Sequence, residues 1–125
     1  MAGQNIFTRD EVEARTVFHP KSGFRDDVVV SGERLQLVWA KLGPEGTYAL
    51  HSHPYDQISM LVQGHMRLTV GDEVRDIGPG DMWHAPAGIE HGGEVLGDEP
   101  VMFIDVYSPP NKLMAERWAV RNLAE

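Results

Sequence analysis

Short β-rich segments, each stopped by a glycine or a proline, constrain the fold of this chain more than any other feature. Thirteen glycines and eight prolines punctuate its 125 residues without gathering into a linker. Between them lie runs that read as strands: Arg15–His19, Phe24–Val30, Arg34–Leu42, Gly46–His53, Gln57–Val62, Arg67–Val70, Val74–Ile77, Met82–Ala85, His91–Leu96 and Val101–Tyr107. Pro20, Gly43-Pro44, Gly64, Gly78-Pro79-Gly80 and Pro86 mark ends, and Gly71-Asp72 is placed to close a tight hairpin. Many short strands separated by turns at regular spacing suggest an all-β sandwich or barrel. One helix is expected, over Lys112–Leu123, where composition and spacing are helical.

The length is that of one ordinary domain, enough to bury a core without staples. The absence of cysteine excludes disulfides, thiolate metal sites and cysteine nucleophiles. No apolar run approaches the roughly 20 residues that span a bilayer. Met1–Asp10 lacks the basic start and apolar stretch of a secretory signal, so a cytoplasmic location is expected. The net charge of −8 argues against nucleic acid and anionic membrane as partners, because both need basic surface. A small-molecule substrate, even an anionic one, stays compatible, since a metal and a few arginines can dominate a pocket locally. Phe7, Val12, Val17, Phe18 and Phe24 have no obvious place inside a minimal barrel. Covering the sheet edge of a second copy would bury them, so a homodimer is expected; an arm folded over its own barrel is the alternative.

The side chains able to bind a metal fall into one pattern. His51-Ser52-His53 sets two imidazoles two residues apart, and on an extended strand those positions face the same way. Gln57 follows Pro54-Tyr55-Asp56, a gap that suits a turn into a neighbouring strand. His91 comes after the turn at Pro86-Ala87-Gly88, where another strand can supply a fourth ligand. His51, His53, Gln57 and His91 are therefore the candidate ligands of one divalent transition metal ion. Imidazole suits zinc, copper, iron and nickel, and manganese stays compatible. The Gln57 amide is neutral, so the ion would keep its full charge and polarise bound oxygens more strongly than it would beside a carboxylate. His19, His65 and His84 fit no such spacing and read as surface or supporting residues. Arg67 and Arg75 could clamp a carboxylate or stand on a solvated hairpin. Met60, Met66, Met82, Trp39, Trp83 and Phe103 could line a pocket or fill a core.

Two stretches resemble the motifs of the cupins. Gly46 through Gly64 resembles the first: a glycine, His51-x-His53, three residues, Gln57 in place of the usual glutamate, then six residues to Gly64. Gly80 through His91 resembles the second: Gly80, five residues, Pro86-x-Gly88, two residues, His91. Gly46 stands one residue closer to the first histidine than is usual, and Val95 stands where asparagine is frequent. The resemblance implies a single-domain double-stranded β-helix, a jelly-roll barrel over residues 30–108. It leaves residues 1–29 as an N-terminal arm and residues 109–125 for a short C-terminal helix.

A narrower likeness adds an activity. His51 through Ser59, Gly80-Asp81, Pro86 through Gly92 and Asp105 through Pro110 resemble the pectin-degradation (KdgF-type) cupins. That likeness implies a three-His, one-Gln metal site and the conversion of cyclic 4,5-unsaturated uronates to linear keto acids. Asn111-Lys112-Leu113-Met114 departs from the family, which usually continues there with a basic residue and acids. On the family pattern Asp105 and Tyr107 are the catalytic candidates. They are two apart on one strand and face one way, while Ile104 and Val106 face the other. Either that face is a polar pocket or the strand end meets solvent. Three functions remain open, since the fold alone does not decide among them. They are a non-redox isomerase or lyase-like enzyme acting on an unsaturated uronate or similar enolisable sugar acid, a metal-dependent dioxygenase of the three-His type, and a non-catalytic small-molecule-binding cupin.

Overall fold

The computed structural model of the chain describes residues 5–14, 26–44 and 46–112. They form a short helix α1 (Arg9–Ala14) and the strands β1 (Asp26–Ser31), β2 (Gln36–Leu42), β3 (Thr47–His51), β4 (Asp56–Gln63), β5 (His65–Val70), β6 (Glu73–Ile77), β7 (Met82–Ala85), β8 (His91–Leu96) and β9 (Val101–Ser108). One sheet has the order β1-β2-β9-β4-β7, the other β3-β8-β5-β6. All the pairings are antiparallel. The chain repeatedly leaves one sheet for the other, which is the double-stranded β-helix of a jelly roll.

Turn chemistry sets the crossings. Between β5 and β6, Val70 pairs with Glu73 across Gly71-Asp72, so the expected two-residue hairpin forms. Between β4 and β5 the chain changes sheets at Gly64, whose φ is 85°. A Cβ there would also lie 2.8 Å from the Pro100 carbonyl oxygen, so this corner takes only glycine.

Alternation along β2, β9, β4 and β7 turns every second residue inward, and the register aligns these residues into rows. Gln36, Tyr107, Gln57 and Ala85 form the first row; Val38, Asp105, Ser59 and Trp83 the second. Ala40, Phe103 and Leu61 form the third, and Leu42 with Val101 the fourth. All of these are buried. The interior is therefore polar at one end of the barrel and apolar at the other. Tyr48, Met66 and Leu68 complete the apolar part from the opposite sheet. Each large side chain buried there contributes about 1.5–3 kcal/mol.

The strands fall close to the expected runs, with Arg15–His19 lying outside the described residues. The C-terminal helix expected over Lys112–Leu123 also lies outside them, apart from Lys112. Helix α1 was not expected, although its signal was present. The Glu11 N–H donates to Thr8 Oγ1 at 3.3 Å, and Thr8-x-x-Glu11 is the usual start of a capped helix. Among the described residues no helix is long and apolar enough to cross a membrane.

Candidate metal centre

A local irregularity sets the first histidine. In the β3–β8 pairing Tyr48 stands opposite Gly93 and His51 opposite His91, so Ala49 and Leu50 on β3 match the single residue Gly92 on β8. Tyr48 is buried. Three positions later, a regular strand would face outward. The extra residue of this bulge turns His51 inward with Tyr48. The bulged backbone passes close to β8 at Gly92, where a Cβ would lie 2.6 Å from the Tyr48 carbonyl oxygen. His53 lies just past the end of β3, and His91 opens β8.

The three imidazoles converge. Their candidate ligand nitrogens all lie within 4.8 Å of one another. The ring centroids of His51 and His53 are 4.3 and 4.8 Å from that of His91. Each ring is oriented through Nδ1: His51 to the Ala49 carbonyl at 2.8 Å, His53 to Tyr55 at 2.9 Å and His91 to Ile89 at 3.0 Å. A ring nitrogen this close to a carbonyl must donate, which leaves Nε2 of each neutral ring as the electron-pair donor. His91 is buried, whereas His51 and His53 are partly exposed, so the cluster opens to solvent on their side.

Gln57, fully buried in the first row, is the candidate that would supply an oxygen. Its Nε2 donates to Ser59 Oγ at 2.9 Å and to Asp105 Oδ1 at 3.1 Å. Its Oε1 then points at His53 Nε2, 2.9 Å away. Two electron-pair donors thus face each other, an arrangement that a cation resolves. Two ligands each about 2.0–2.1 Å from one metal stand roughly 3–3.5 Å apart, close to the separation of Gln57 Oε1 and His53 Nε2. The donor set of three imidazole nitrogens and one amide oxygen fits a divalent transition metal.

Behind the donors lies a buried polar network. Asp105 accepts from Ser59 Oγ at 2.6 Å and from the Tyr107 hydroxyl at 3.1 Å, in addition to Gln57. Asp105 and Tyr107 both face inward, while Val106 between them is partly exposed on the outer face. A buried polar network, and not a solvent-facing strand end, accounts for the inverted pattern of β9. Ser59 was not singled out in the sequence, because a serine in a β-rich run carries no distinctive signal.

A second layer of support was also illegible. The Tyr55 ring stacks on His53, with centroids 4.0 Å apart and planes within 7°. Its hydroxyl accepts from Asn111 Nδ2 at 2.6 Å. Asn111 is itself held by buried Gln36, which donates to its carbonyl at 2.9 Å and accepts from its N–H at 3.1 Å.

The remaining candidates lie elsewhere. Arg67 is exposed on the β5–β6 hairpin, with Nε 2.8 Å from Asp76 Oδ1. The hydrogen bond from Arg67 holds the Asp76 carboxyl below its usual range, away from the histidines. Arg75 is exposed, 3.8 Å from Glu73. His84 is exposed and bonded to Asp56 at 2.7 Å, and His65 is exposed; His19 lies outside the described residues. Met66, Trp83 and Phe103 fill the core, Trp39 packs against it, and Met60 and Met82 are exposed.

A family model described as a cupin domain matches residues 38–107. The solved structure of KdgF from Halomonas sp. aligns with a TM-score of 0.76 and 26% identity, covering 88% of this chain and 99% of that one. An RmlC-like cupin from Shewanella frigidimarina aligns with the same TM-score of 0.76 at 18% identity, covering 90% and 96%, a likeness of fold. The oxalate decarboxylase OxdC of Bacillus subtilis is 30% identical over 96 residues, 70% of this chain. The chain spans 25% of the length of that relative, which is an enzyme by its name. Since the family match runs from Val38 in β2 to Tyr107 in β9, more than half of the chain, this chain belongs to the cupin family.

Proposed function

We propose that the chain is a metal-dependent enzyme that opens or isomerises an unsaturated uronate, or a similar enolisable sugar acid, without redox change. The observation that carries this reading is the neutral donor set: three imidazoles and an amide oxygen, with the nearest carboxylate one residue behind the ligands. The likeness to KdgF over nearly the whole of both chains supports it. A divalent ion held by His51, His53, Gln57 and His91 would serve as a Lewis acid toward substrate oxygens.

The chain's own residues handle the proton. Opening the cyclic form removes the anomeric hydroxyl proton and breaks the ring C–O bond, leaving an enolate that takes a proton at carbon. The composition is unchanged, so no oxidant is required. Asp105 is the proposed group that moves this proton, and Tyr107 the group that passes it, because the tyrosine hydroxyl already bonds the Asp105 carboxylate at 3.1 Å. Burial of Asp105 excludes water from that exchange.

The test is loss of ultraviolet absorbance of the conjugated 4,5-double bond, followed with monosaccharides from lyase digests of pectin and alginate. Metal-replete protein is expected to accelerate the loss without consuming oxygen. Asp105→Asn should slow it by about two to four orders of magnitude with metal content intact, whereas His53→Ala should lose both. Uncatalysed rates with all such substrates would remove the uronate reading, and oxygen consumption would favour the dioxygenase.

A further inference from the structure

The amide of Gln57 has two ends and only one productive orientation. Oxygen toward His53 makes a ligand; Nε2 toward His53 would present hydrogens to a metal. The orientation is imposed from behind. Asp105 Oδ1 takes a hydrogen bond from Gln57 Nε2 at 3.1 Å. Ser59 gives its single proton to the same oxygen at 2.6 Å, so its remaining lone pairs accept from Gln57 Nε2 at 2.9 Å. The carboxylate therefore grips the amide twice, once directly and once through Ser59. An acceptor-only group in that place admits only the amide's hydrogens.

The same contact restricts what residue can stand at position 57. A carboxylate there would set one oxygen where Nε2 now lies, about 3.1 Å from Asp105 Oδ1. Gln57 and Asp105 are both fully buried, so the repulsion would be poorly screened. Ser59 has one proton and cannot serve both carboxylates.

We propose that Asp105 is the positioning residue that makes the fourth ligand a neutral amide and aims its oxygen at the metal. The negative charge of the site sits one residue behind the ligand, coupled to it through the amide. A metal held here would have only neutral donors, with the Asp105 carboxyl close behind one of them. The inference rests on the metal-holding reading of the site, not on the choice of substrate.

A double-mutant cycle tests it, with two readouts that need no turnover: zinc affinity by competition with a chromogenic chelator, and the melting temperature of the metal-free protein. The four proteins are wild type, Gln57→Glu, Asp105→Asn and the double variant. Asp105→Asn alone is expected to leave zinc affinity nearly unchanged, because its amide oxygen can still accept from Gln57. Gln57→Glu alone should lower the metal-free melting temperature. Adding Asp105→Asn to Gln57→Glu should restore that temperature and raise zinc affinity about tenfold or more. A Gln57→Glu protein that fails to fold while the double variant folds is the same result in stronger form. Additive effects in both readouts, or failure of both Gln57→Glu proteins to fold, would overturn the proposal. Additivity would leave the uronate reading intact, and a protein inactive on uronates could still show the coupling.

Discussion

At the scale of single residues, the site depends on groups that orient other groups. Tyr55 is not itself an expected ligand, yet its ring covers one face of His53 and its backbone carbonyl holds Nδ1 of the same imidazole. Support of this kind commonly changes metal affinity by 10- to 100-fold. Tyr55→Leu should therefore weaken zinc binding by about tenfold, measured by chelator competition, because the stacking surface is gone. Tyr55→Phe keeps the ring and loses only the hydroxyl contact with Asn111, so it should stay within about threefold of wild type. Equal losses in the two variants would shift the weight from the ring to the hydroxyl. The histidine cluster was legible because the His51-x-His53 spacing, with His91 after a turn, is chemically distinctive. Tyr55, Ser59, Asn111 and Gln36 were not, since their roles depend on contacts between elements. Gln36 and Asn111 are separated by 75 positions in the chain.

At the scale of elements, the β3 bulge and the β8 glycine form one device. The bulge faces His51 inward, and Gly92 leaves room for the bulged backbone. Gly92→Ala places a methyl 2.6 Å from the Tyr48 carbonyl oxygen, so backbone has to move. A destabilisation of about 1–3 kcal/mol is expected from such overpacking, read as a lower denaturant midpoint. Zinc affinity should fall with it, because His51 rides on the displaced strand. Period-two alternation located most strands, and Gly71-Asp72 announced its hairpin. The bulge was invisible, because alternation assumes the regular spacing that a bulge breaks. The arrangement of β9 between β2 and β4 was likewise not written in any local pattern. On the β5–β6 hairpin, the Arg67–Asp76 pair acts at a different level. The depressed Asp76 carboxyl favours the fold above the usual carboxylate range, and that contribution is lost as pH falls through its lowered pKa. Both partners are exposed, so the effect is small and screened by salt.

At the scale of the whole molecule, the barrel separates two tasks along its axis. The third and fourth rows, from Phe103 to Leu42, supply apolar burial, while the first two rows hold the polar network beside the histidines. Placing a metal at the polar end should tie the two sheets together, because His51 and His91 come from one and Gln57 from the other. Bound metal at a hundredfold excess over Kd would add about 2.7 kcal/mol of stability. A chelator should accordingly lower the melting temperature of the loaded protein, and leave a His51→Ala/His91→Ala protein unmoved. On the outer face of the five-stranded sheet, Leu37, Val106 and Ile58 align in one row, and Met60 with Met82 in the next, all exposed. We propose the homodimer expected from the N-terminal sequence as the assembly that would cover this surface. Light scattering at micromolar concentration should give twice the chain mass, and a monomer mass would count against the dimer.

The most direct test of the central claim is the metal content of protein purified without an affinity tag, measured by elemental analysis. The account predicts about one divalent transition metal per chain in the wild type, as a single site of four donors requires. No metal is expected in the His51→Ala/His91→Ala protein, which deletes two of the proposed ligands from two neighbouring strands. Full metal content retained in that double variant would contradict it.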